Sequence, residues 1–337
     1  MSATVEVVSK GLDNVVVAES KTSLVNGHDG KLIYSGYKIE DLAANALFEE
    51  VVYLLWNNRL PNKAELETFT QDLATHAVLP IEVIQHMRQL PRTANAMAVL
   101  RSVVSLLGHY DADSEDMSVE AVRRKSLRLT GQITTACAAW ARISSGNDPL
   151  APRADYNLAE NFVYMLTGRD PEEAEVDAFN VYMVLLAEHG MNASTFTSRV
   201  VTATGADYHS AIVAAIGALK GPSHGGANAE AMMQFLEIAD PHNVDKWFQE
   251  NIKSGKRRIM GIGHRIYKAL DPRAQILKEK AEALAKNSGN SKWFEIAKRL
   301  DDMARADDYF ISRNLYANVD YYSAIVLYTL RLPVDMF

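Results

Sequence analysis

Apolar residues along this chain recur mostly three and four positions apart, the spacing of one face of an α-helix, and β-branched runs of strand length are scarce. One hairpin is predicted near the start. There Ser23-Leu-Val leads into the turn-rich Asn26-Gly-His-Asp-Gly30 and then Lys31-Leu-Ile-Tyr. Asn62 followed by Glu65 predicts a capping box just after Leu60-Pro61. Asp170-Pro171-Glu172-Glu173 reads as an N-cap with proline at the first helical position, opening a buried helix that should run to about His189 and stop at Gly190. Further helices are expected over Tyr208 to Leu219, ended by Lys220-Gly221-Pro222, and from about Gly226. Another should open at Asp271-Pro272 and fray at Asn287-Ser-Gly, and an apolar one should cover Ala324 to Leu330. Asp111 to Ser118 and Ser144 to Arg153 read as loops too short for interdomain linkers. The expected fold class is all-α with a minor N-terminal β-hairpin, and the pattern alone sets no domain boundary.

Composition narrows the function. With 337 residues, 48% apolar and 23% charged, the chain is an ordinary globular one of about two domains. Its 35 basic and 42 acidic side chains give a net charge of −7, which argues against an unspecific nucleic-acid binder. The lone Cys137 can form no internal disulfide and no thiolate zinc cage, so a reducing, cytoplasmic setting is expected. The first residues read as neither signal nor transit peptide, and no apolar run approaches the ~20 residues that span a bilayer.

The candidate chemistry lies where histidine meets glycine at predicted helix ends. His76, His86, His109, His209 and His242 read as ordinary structural histidines. His189, at the end of the Asp170 helix, is either a capping histidine or a cationic one able to hold a carboxylate. His224, in Gly221-Pro-Ser-His-Gly-Gly-Ala-Asn, sits before a helix N-terminus whose field disfavours a second proton. It reads as a neutral N–H donor to a carbonyl becoming an enolate, or as an incidental histidine in a turn. Gly261-x-Gly263 lacks the third glycine of a dinucleotide fingerprint. With Lys253, Lys256, Arg257, Arg258 and Lys268 around it, the loop is a candidate cradle for a phosphorylated ligand, or a solvated basic helix end. Arg273, in a first helical turn, would suit a small dicarboxylate. Asp320 is either a charge complementing a helix dipole or a carboxylate base.

Six segments, in order over nearly the whole chain, resemble the citrate synthase family: Lys31-Leu-Ile-Tyr-Ser-Gly-Tyr-Lys-Ile-Glu-Asp-Leu-Ala, Glu188-His-Gly-Met-Asn-Ala-Ser-Thr, Gly221-Pro-Ser-His-Gly-Gly-Ala-Asn, Met260-Gly-Ile-Gly-His-Arg-Ile-Tyr-Lys, Asp271-Pro-Arg and Asn318-Val-Asp-Tyr-Tyr-Ser. The resemblance implies a helical homodimeric enzyme that condenses acetyl-CoA with oxaloacetate and hydrolyses the product thioester. It further implies a large domain over residues 1–223 and a small domain over residues 224–330 that closes after oxaloacetate binds. In that scheme Asp320 removes the α-proton, His224 bonds the thioester oxygen, and His264 polarises the ketone. His189, His264 and Arg273 hold oxaloacetate; Arg258, Gly261, Gly263 and Lys268 meet coenzyme A. No metal and no cofactor beyond the coenzyme A thioester substrate is implied, and no membrane or nucleic-acid partner. Glu188 and Gly190 stand where many members carry Asp and Glu. The stop at Leu332-Pro-Val-Asp-Met-Phe, before a further arginine-bearing segment of the family, raises the expectation of a truncated, inactive coenzyme A-binding chain. Competing readings are a 2-methylcitrate synthase using propionyl-CoA, a metal hydrolase using His189, His224 and His264, and a non-enzymatic binding protein.

Overall fold

A computed structural model describes residues 18–221, 224–264 and 266–337. The helix stop read at Pro222 and the leader reading of the first residues lie outside them. An antiparallel sheet comes first, β1 (Ser23–Asn26), β2 (Lys31–Tyr34) and β3 (Tyr37–Lys38), in the order β1-β2-β3. The predicted hairpin is therefore present, with Ser23 opposite Tyr34 and Asn26 opposite Lys31. The third strand, two residues long, carries too little pattern to have been foreseen.

Helices follow: α1 (Ile39–Asn45), α2 (Phe48–Asn57), α3 (Lys63–His76), α4 (Ile81–Gln89), α5 (Ala96–Leu107), α6 (Val119–Ser144), α7 (Leu158–Thr167) and α8 (Glu173–Leu186). The second half contains α9 (Ala193–Ala203), α10 (Tyr208–Leu219), α11 (Ala227–Ile238), α12 (Val244–Trp247), α13 (Pro272–Asn287), α14 (Lys292–Arg305), α15 (Asp308–Ile311) and α16 (Val319–Thr329). The all-α expectation holds, as do the limits of α10 and the opening of α13. No helix of the described residues is long and apolar enough to cross a membrane.

Three helix limits differ from expectation. α8 opens at Glu172, not Asp170, because the Asp170 carboxylate accepts from Arg153 (3.1 Å) and Tyr156 (2.9 Å), while Glu175 accepts the Glu172 N–H at 3.0 Å. It also ends at Leu186, three residues before His189. The Tyr34 hydroxyl donates to the Leu185 carbonyl (3.1 Å) and accepts the Glu188 N–H (3.3 Å), so the hairpin satisfies the groups that another helical turn would have used. α16 opens at Val319, five residues before the apolar run at Ala324. The Asn318 side chain accepts the Asp320 N–H at 2.9 Å, an N-cap that hydrophobic periodicity does not reveal.

Buried apolar side chains form two clusters. The smaller joins α4, α5, α6 and α10 around Val83, Val103, Val104 and Trp140. The larger runs from Leu32 and Tyr34 through α7 and α8 to α11, α13, α14 and α16, so residues on both sides of the expected cut at 223/224 share one core in this conformation. This sharing places α8 beside α13 and α16, the helices that deliver the candidate residues.

Candidate active site

Four segments meet where the large core reaches the surface: the turn after α8, the loop between the 250s and α13, the start of α13 and the start of α16. Gly261 (φ +76°) lets the loop lie against α16, since a Cβ there would sit 2.9 Å from Tyr321 Cα. The Asn318 N–H donates to the Gly261 carbonyl (2.9 Å), the Gly263 N–H donates to the Tyr316 carbonyl (2.7 Å), and the Asn318 amide donates to the Gly263 carbonyl (2.8 Å). These bonds bring His264 to the site. They also mean that Gly261 is buried against the protein's own helix.

The arrangement fixes protonation. His264 Nδ1 accepts the backbone N–H groups of Ile266 and Tyr267, each at 3.1 Å. Amide nitrogens can only donate, so Nδ1 is unprotonated and the proton sits on Nε2, free for a carbonyl oxygen. Burial lowers the His264 pKa further, and the charges of Arg273 and Lys268 act in the same direction against Asp271. His189 Nε2 lies 3.2 Å from the Tyr267 hydroxyl. Burial first, then the charge of Arg273, holds the His189 pKa down to about 3. The cationic reading of His189 is therefore corrected: it stands beyond the helix end, beside a guanidinium, and is neutral. The two rings stand edge to face, 5.6 Å between centroids.

Arg273 supplies the positive charge. It is only 4% exposed, and its fork closes on the Asp271 carboxylate, Nε at 3.0 Å and Nη2 at 2.9 Å. Asp271, 2% exposed, also caps α13 through the Arg273 N–H (3.0 Å) and accepts the Val319 N–H of α16 (3.3 Å). The dicarboxylate expected to use this fork would thus meet a guanidinium already anchored on one side. Asp320 follows in the first turn of α16, and burial raises its pKa while the Arg273 charge opposes the rise. A raised carboxylate pKa makes a stronger base.

His224 is held elsewhere. Its Nε2 accepts the Ser194 N–H (3.2 Å) at the start of α9 and lies 3.0 Å from the Ser194 hydroxyl. The ring therefore carries its proton on Nδ1, a neutral donor. Among the described residues it makes no hydrogen bond to His189, His264, Arg273 or Asp320. Of the basic side chains around the glycine loop, Arg257 is taken by Glu237 (2.6 Å) and Lys253 by Asp307 (2.6 Å), whereas Arg258 and Lys268 are exposed. Tyr267, Asp271 and Ser194 escaped the sequence reading as site members. Asp271 had a signal, the aspartate-x-arginine spacing at a proline-opened helix; Tyr267 and Ser194 had only their place inside recognised segments.

The family model described as citrate synthase, C-terminal domain, matches residues 11–337. The chain is 44% identical over 330 residues to citrate synthase 2 of Bacillus subtilis, covering 98% of this chain and 87% of that one. It is 37% identical over 331 residues to 2-methylcitrate synthase of Mycobacterium tuberculosis, covering 98% and 82%. Among solved structures, the ternary complex of carboxymethyl coenzyme A and oxaloacetate with citrate synthase from Thermoplasma acidophilum superposes with a TM-score of 0.91 at 35% identity, covering 98% of this chain and 87% of that one. A mostly helical frame with these matches is that of a carbon–carbon bond-forming acyltransferase. The chain belongs to the citrate synthase family.

Proposed function

We propose that this protein condenses acetyl-CoA with oxaloacetate and hydrolyses the resulting citryl-CoA to citrate and coenzyme A. Asp320 takes the α-proton of the thioester, and His224 donates its Nδ1–H to the thioester oxygen, so that a neutral enol rather than an enolate forms. The enol carbon attacks the ketone carbon of oxaloacetate while the His264 Nε2–H stabilises charge growing on the ketone oxygen. Water then cleaves the thioester. Arg273 and His189 hold the oxaloacetate carboxylates, and Arg258, Gly263 and Lys268 meet coenzyme A, with Gly261 shaping the loop by its packing against Tyr321.

The observation that carries this reading is a buried guanidinium, Arg273, paired with Asp271, whose charge acts both on the desolvated carboxyl of Asp320 and on the neutral His264 donor. Since His224 sits at α9, substrate binding must draw the units 1–223 and 224–330 together. Their shared core makes that movement a shear of packed helices rather than a free hinge. Oxaloacetate binds first and drives it. The active form is a cytoplasmic homodimer: α10 keeps Ile212, Val213 and Leu219 partly exposed in the single chain, an apolar face suited to a two-fold partner.

The 37% identity to a 2-methylcitrate synthase supports a second reading, with propionyl-CoA as acyl donor. One methylene is worth only ~1–3 kcal/mol in a pocket, so both donors are tested together. Initial rates of thiol release are measured with each thioester at saturating oxaloacetate. A higher kcat/KM for acetyl-CoA supports the first reading, a higher value for propionyl-CoA supports the second, and no oxaloacetate-dependent release with either rejects both.

A further inference from the structure

Tyr267 is 2% exposed and touches each group on the oxo-acid side of the site. Its N–H donates to His264 Nδ1 at 3.1 Å, its ring lies 5.7 Å from Arg273 Cζ and 5.0 Å from the His264 ring, and its hydroxyl lies 3.2 Å from His189 Nε2. The last contact joins two groups that can each donate or accept. Chemistry selects the direction. A phenol O–H, with an ordinary pKa near ~10, is a good donor and a weak acceptor, while an unprotonated imidazole nitrogen, whose conjugate acid has a pKa near ~6.5, is the stronger acceptor.

We propose that the Tyr267 hydroxyl is a positioning group for the oxo-acid pocket: it donates its proton to His189 Nε2, fixes that ring as the Nδ1–H tautomer, and so makes His189 a hydrogen-bond donor to a substrate oxygen. The pocket then presents Nδ1–H from His189, Nε2–H from His264 and the charge of Arg273, donors only, which selects a small oxo acid rich in acceptor oxygens over a hydroxylated analogue of equal size. The substrate named in this proposal rests on the function proposed above; the tautomer does not. Burial keeps the Tyr267 hydroxyl protonated and His189 neutral, so the arrangement persists through the physiological pH range.

Nitrogen-15 NMR of histidine-labelled full-length protein reads the tautomer directly, and steady-state kinetics read its effect. The expected wild-type state is His189 with its proton on Nδ1. Tyr267→Phe, which keeps the ring, should let the Nε2–H form appear, raise the KM for oxaloacetate by about 3- to 10-fold, and leave the KM for the acyl-CoA within about twofold. A wild-type His189 protonated on Nε2 overturns the proposal without any variant, and so does a raised KM in Tyr267→Phe with the tautomer unmoved, since that traces the effect to packing. An unchanged oxaloacetate KM with a shifted tautomer overturns the selectivity. A wild-type protein with the expected tautomer but no oxaloacetate-dependent thiol release leaves the tyrosine–histidine link standing and rejects the proposed reaction instead.

Discussion

Asp271→Asn isolates one charge at the junction of the site and the core. The aspartate accepts three bonds from Arg273 and one from Val319, and both members of the pair are almost fully buried. Asparagine keeps an oxygen for the cap, so the helix start survives, but Arg273 becomes an uncompensated buried cation. Removing one partner of a buried pair costs roughly 3–5 kcal/mol. At about 2.1 cal/mol/K per residue, a chain of 337 residues loses only about 1.4 °C per kcal/mol, so calorimetry should show the melting temperature lowered by roughly 4–7 °C. The same change should alter the pH dependence. The Asp271 charge helps to raise the Asp320 pKa, so neutralising it lowers that pKa, the base ionises in more acidic solution, and the acid limb of kcat/KM moves to lower pH. Asp271→Ala should be less stable still, by about 1 kcal/mol, because the cap is lost as well. A melting temperature within about 2 °C of wild type together with an unmoved acid limb would refute the role given to this pair.

Asp320→Asn and His224→Ala should each reduce turnover by about 10²–10⁴ with the fold retained by circular dichroism, and wild-type turnover in either removes that residue from the chemistry. His209 is buried, and burial lowers its pKa against the nearby Asp111, so the unfolded chain binds more protons. Its contribution to stability is intact above the unfolded pKa of ~6.5 and is lost as pH falls below it. His209→Gln should therefore flatten the decline of urea-unfolding stability between pH ~7 and ~5.5, leaving the part of the slope that His189 contributes with the same sign; an unchanged slope rejects this. Gly27→Ala should weaken oxaloacetate binding about tenfold by calorimetry, because a Cβ at Gly27 would lie 2.2 Å from the Ile266 carbonyl oxygen and force the hairpin off the His264 loop; unchanged affinity would show that the loop does not depend on the hairpin.

Local rules anticipated the elements whose ends are set by neighbours in sequence. The Asn62–Glu65 box, the span of α10 and the Asp271-Pro272 opening each depend on residues within one turn, and each matches the structure. The limits that moved depend on distant partners. α8 stops short because Tyr34, some 150 residues earlier, occupies its end. The charge of His189 moved for a related reason: helix-end position suggested a cation, and burial, with Arg273 second, works against it. Likewise, Gly261 packs against Tyr321 of α16, a pairing that spacing alone cannot supply.

The hairpin has a consequence for the order in which the molecule is made. It is among the first described segments to leave the ribosome, yet its turn is seated on the loop that carries His264, with the Lys268 N–H donating to the Gly27 carbonyl at 2.9 Å. That partner lies 241 residues further along the chain. At roughly 5–20 residues per second, the turn waits about 12–50 s for it. Over about the last third of that interval the Glu188 segment is also available to the strands, whereas the His264 loop is not yet made. The oxo-acid pocket is thus assembled at the end of synthesis, and a pause in translating the last third of the chain delays the appearance of substrate binding rather than the formation of the hairpin itself.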